Sequence, residues 1–125
     1  MSVLRTILIC LLGLIPAGVL AMPQEPLRTF AACAGRLSAT MEHQWLMSDP
    51  SSDRTKAQRT AMLSLVEAVM APDQGPLVLG WRIDAKQAHA VLLTRATFSD
   101  DASDAEWALQ QAETQVAHCT GLLLS

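Results

Sequence analysis

The strongest restriction on this fold comes from two cysteines placed near opposite ends of the chain. Cys33 sits early in the stretch 26–47, PLRTFAACAGRLSATMEHQWLM, and Cys119 lies six residues before the C-terminus. On a helical wheel Phe30, Cys33, Ala34, Leu37, Met41 and Trp45 share one stripe roughly 120° wide, as a core-facing amphipathic helix requires. Arg36 and His43 project from the other side. A bridge between Cys33 and Cys119 would staple this helix to the last one.

The chain of 125 residues contains a third cysteine, Cys10, within MSVLRTILICLLGLIPAGVLA. A short region carrying Arg5, an uncharged apolar run from Ile7, a break at Pro16 and small or tolerated residues at Val19 and Ala21 together predict a signal peptide, cleaved after Ala21. The run of about 14 apolar residues is short for a spanning helix, which needs about 20. The alternative is retention as a membrane anchor. Lipid attachment at Cys10 is disfavoured, because Ile9 before it is not small. The chain therefore divides into a signal peptide, 1–21, and a single helical domain, 22–125.

Cleavage leaves two cysteines, and a widely separated pair in an oxidising compartment reads as a disulfide. Two free thiols are the alternative. Closing a loop of about 86 residues stabilises a fold by about 4 to 5 kcal/mol on the chain-entropy account. A domain of about 104 residues has one modest core and gains from such a staple.

Without Arg5, eight basic residues face twelve acidic ones, a net charge of −4. A nucleic-acid partner would need clustered Lys and Arg, and an anionic membrane surface would need the same. Neither is expected, nor is membrane insertion after signal cleavage. Tyrosine is absent while Ala, Leu, Val and Met are plentiful, a balance that favours helices over strands.

Four helices with short connections are predicted, an all-α, up-down four-helix bundle with its first and last helices joined by the Cys33–Cys119 disulfide. Pro26 suits the first turn of the first helix, which stops near Ser48 before Asp49-Pro50-Ser51-Ser52-Asp53. Ser52 or Asp53 caps the second helix, which runs to about Ala71 with Ala61, Met62, Leu65, Val66 and Val69 on its apolar face. After Pro72-Asp73-Gln74-Gly75-Pro76, the run Leu77-Val78-Leu79-Gly80-Trp81 reads as a short strand or extended loop. Helix is expected from Arg82 onward. Its apolar residues form two opposed stripes, Ile83, Ala90 and Leu93 against Trp81, Ala85, Ala88 and Leu92. That pattern marks a buried helix, or one with a stripe reserved for a partner. Ser103 with Glu106 matches a capping box that opens the last helix. There Ala105, Ala108, Ala112, Val116, Cys119, Leu122 and Leu123 form the stripe. In an up-down bundle the start of helix one and the end of helix four lie at one end, which agrees with the proposed bridge.

Chemistry-bearing patterns are sparse. His43, His89 and His118 read as separate surface or flank histidines, since His43 lies about 15 Å along its helix from Cys33 and His118 adjoins Cys119. No Glu-x-x-His pair for iron, no Cys-x-x-Cys-His for haem, no Gly-x-Ser-x-Gly elbow and no glycine-rich phosphate loop occurs. Asp100, Asp101 and Asp104 cluster where a helix begins, which capping explains. No catalytic, metal or cofactor residue is assigned, and no cofactor is expected. Trp81, Trp107, Gln111 and His118 are the candidate partner surface, because tryptophan is enriched at binding hot spots; the preferred reading has the tryptophans closing the ends of a small core. The expected function is that of a small exported, periplasmic or secreted protein, a non-catalytic accessory or adaptor that binds another envelope protein. The alternative is a chaperone-like binder of apolar ligands or unfolded chains, suggested by Met41, Met62, Met70 and the doubly apolar third helix.

Overall fold

The computed structural model describes residues 24–125, so the expected signal peptide lies outside the described residues. Within them 85% of the chain is helical and there is no strand. The helices are α1 (Glu25–Leu46), α2 (Ser52–Val69), α3 (Gly75–Phe98) and α4 (Ala102–Leu124). None is long and apolar enough to cross a membrane.

Helix α1 is the hub. It carries nine buried residues, against three on α2, two on α3 and three on α4. Pro26 sits in its first turn. Its end is a Schellman motif: Ser48 takes a left-handed φ of 54°, its N–H donates to the Trp45 carbonyl at 3.2 Å, and Asp49 N–H donates to the Gln44 carbonyl at 2.8 Å. Those bonds satisfy carbonyls the helix leaves open. Asp49 Oδ1 then accepts from Ser51 N–H at 2.8 Å, turning the chain into α2.

The helices alternate in direction. Met62 packs with Cys33 and Leu37, and Val66 with Leu27 and Ala31, so α2 runs antiparallel to α1. Arg28 stacks over Trp81, Lys86 bonds Glu42 at 2.7 Å, and Thr97 meets His43 at 3.1 Å, so α3 runs parallel to α1. Arg95 pairs with Asp104, which folds α4 back along α3. Cys33 and Cys119 are bridged, with their Cα atoms 5.4 Å apart. The first and last helices are stapled as expected.

Contact between α1 and α3 is closer than a square bundle allows its diagonal helices. A Cβ placed on Gly35 would collide with the Arg82 carbonyl oxygen and lie 3.0 Å from Lys86 N. Only a glycine lets the two backbones touch here.

Several sequence expectations are corrected. Leu77-Val78-Leu79-Gly80-Trp81 is helix, neither strand nor loop, because Pro76 occupies the first turn of α3 and does not end the preceding linker. Asp101, and not Ser103, caps α4: its Oδ1 accepts from Ser103 N–H at 2.9 Å and Asp104 N–H at 3.3 Å, and a carboxylate also meets the positive helix end. Ala61 and Val69 are exposed, because no helix covers that flank of α2, and Trp45 is exposed at the end of α1. Met41 and Met62 are core residues, 6% and 0% exposed, so they offer no adaptable methionine surface.

Candidate ligand and partner surfaces

Helix α3 departs most from its expected role. It is not buried on both sides. Only Val78 and His89 on it are buried, while Leu77, Leu79, Ile83, Val91 and Phe98 are 44–60% exposed. At 100° per residue these five fall within one half of the helix circumference. Helices α1 and α4 cover the other half, leaving a broad apolar face uncovered.

The four residues singled out from the sequence do not gather in one place. Trp81 is half-buried near the start of α3, under Arg28, whose guanidinium carbon lies 5.7 Å from the ring centre. Trp107 is 49% exposed and stacks with Arg95 at 5.1 Å. Because Arg95 lies 14 residues after Trp81, the two rings stand about 21 Å apart along α3. Gln111 is half-buried one turn beyond Trp107 on α4. His118 lines a polar groove between α1 and α4 with Arg28, Arg36 and Gln115. Both tryptophans therefore take a cation on one face. Asp104, paired with the same Arg95, has its carboxyl held below the usual carboxylate range by that guanidinium's hydrogen bonds.

His89, expected to be a surface or flank histidine, is instead 1% exposed near the centre of α3, because it faces α4 and not solvent. Its Nδ1 lies 3.3 Å from Gln115 Oε1. An amide oxygen only accepts, so Nδ1 carries the hydrogen and Nε2 presents a bare lone pair. That Nε2 is buried and has no partner. Burial holds the His89 pKa below its ordinary value; the Gln115 bond opposes this and the Arg36 charge adds to it. The ring is thus a neutral acceptor. An unpaired buried acceptor costs about 1–3 kcal/mol, so something should repay its presence. His89 also lines an apolar groove of about 290 Å³ with Thr40, Leu93, Leu109, Ala112 and Val116, and Glu113 at one side. Its neighbour Gln115 lines the polar groove that holds His118. The only sequence signal for this site was a histidine flanked by Ala88, Ala90 and Val91 in the middle of α3.

Among the described residues no three His, Cys, Asp or Glu side chains converge as metal ligands. The chain matches no protein family, and no curated protein or solved structure matches it significantly.

Proposed function

We propose that this chain is a small exported protein that acts without catalysis, by docking another envelope protein on the outer face of α3. The uncovered row of Leu77, Leu79, Ile83, Val91 and Phe98 carries this reading. Apolar side chains recurring along one exposed side of a helix, here interspersed with Asp84, Gln87 and Thr94, suit an interface with an apolar centre and polar edges. Trp107, beside the end of α3, supplies an aromatic anchor of the type common at interface hot spots. The Cys33–Cys119 bridge supports an oxidising compartment such as the periplasm.

The test is a photo-crosslinker at Val91 in native envelopes, repeated with Ile83→Asp. Capture of one partner in stoichiometric yield, lost in Ile83→Asp with Tm unchanged, is the expected result. Capture of many unrelated chains would favour the chaperone-like reading, and capture indifferent to Ile83→Asp would sink both. For export, intact mass should lack residues 1–21 and show a two-hydrogen deficit.

The apolar-ligand reading loses most of its methionine argument, since Met41 and Met62 lie in the core and the partly buried Met70 packs against it. It gains another from the groove at His89.

A further inference from the structure

We infer that the groove between α3 and α4 is a binding site for a small neutral amphiphile, an apolar body ending in a hydroxyl or N–H donor, with that donor held by His89 Nε2. This deepens the apolar-ligand reading and rests on it.

Three observations define the occupant. The walls are aliphatic, Leu93, Leu109, Ala112 and Val116, so the body is apolar. At about 290 Å³ the groove falls at the lower end of ordinary ligand sites, which fits a medium-chain molecule better than a drug-sized one. The remaining observation is the orphaned acceptor. His89 Nε2 has no protein partner, and Gln115 Oε1 at the opposite ring nitrogen favours the tautomer that leaves Nε2 an acceptor.

Charge narrows the class further. A carboxylate would bring its own lone pairs against Nε2 and a negative charge beside Glu113. An alkylammonium would have to be desolvated within an aliphatic groove, at a cost of several kcal/mol. A neutral alcohol or amide avoids both problems. The His89 ring is almost wholly covered, so the donor reaches it with a rotamer change in the groove wall, a common adjustment on binding. Leu93 and Leu109, half-buried and exposed respectively, form the groove wall where such a change is least hindered.

The experiment titrates the full chain with 1-octanol, its isosteric ether 1-methoxyheptane, and n-octane. Calorimetry reads affinity, and ¹⁵N NMR of histidine-labelled protein reads Nε2. Octanol should bind about tenfold more tightly than the ether, the size of one well-made buried hydrogen bond, and only octanol should move the Nε2 resonance. Equal affinities for octanol and ether would overturn the donor assignment while leaving an apolar site. Failure of all three to bind up to their solubility would overturn the apolar-ligand reading as well. His89→Phe should erase the octanol preference, and a preference that survives it would overturn the role of His89. The comparison of ligands on the unaltered chain stands whether or not that variant folds. Leu109→Trp, at an exposed position on the groove's rim, should block octanol.

Discussion

Single atoms decide much of this fold, and two glycines show how. At Gly35 an added methyl would strike the Arg82 carbonyl, which is backbone and cannot step aside without moving α3. Gly35→Ala should cost about 3 kcal/mol through that overpacking, seen as a fall in Tm of roughly 10 °C or more. At Gly80 nothing lies within 4 Å of the added carbon. Gly80→Ala should therefore gain up to about 1 kcal/mol of helix propensity. In sequence these glycines look alike, because composition records no neighbour. His89 was equally illegible: with apolar residues all round α3, no wheel could say that this one position faces inward. Its titration follows from its burial. Above its ordinary pKa of about 6.5 both folded and unfolded chains hold it neutral, so it adds no pH dependence there. As pH falls through that value, the unfolded chain binds a proton that the native ring resists. Stability should drop by up to about 1.4 kcal/mol per pH unit until the lowered native pKa is reached. Denaturation between pH 7 and pH 5, compared with His89→Phe, measures this; an identical slope in both would refute it.

Helices with one narrow stripe were readable, and the helix without one was not. On α1 the wheel found the buried Cys33, Ala34, Leu37 and Met41 but not Ala31, Gly35, Ser38 and Ala39, small residues that α3 covers from beyond the large-residue stripe. On α3 the same method had no contrast to use, and the Gly75-Pro76 pair fits a turn's end as well as a helix's first turn. Helix ends were legible only in type. An acidic or hydroxyl residue was expected before α4, but the choice between Asp101 and Ser103 depended on backbone angles that sequence does not display. Asp101→Ala should cost about 1 kcal/mol, whereas Ser103→Ala should have little effect, both read from chemical denaturation midpoints. The end of α1 holds an opposite opportunity. Ser48 occupies a left-handed conformation that glycine adopts freely. Ser48→Gly should raise stability by about 0.5–1 kcal/mol, and a fall would show that the serine side chain has a role there.

For the molecule as a whole, the large-scale plan was legible and its depth was not. Two cysteines and four punctuated helices were enough to give direction, order and staple. How closely α1 approaches α3, and which half of α3 stays bare, depend on packing that appears only once the helices are assembled. The staple encloses most of the chain, its ends 86 positions apart. Replacing both cysteines by serine should cost about 4–5 kcal/mol on the chain-entropy account, a large part of the 5–15 kcal/mol typical of such domains. Urea unfolding of Cys33→Ser/Cys119→Ser checks it. All three interhelical connections lie inside the span from Cys33 to Cys119. In covalent terms the domain is a ring with two short tails. A protease that nicks any one connection opens the ring without releasing a fragment, so the clipped protein stays in one piece, heavier by one water, until a reductant divides it in two.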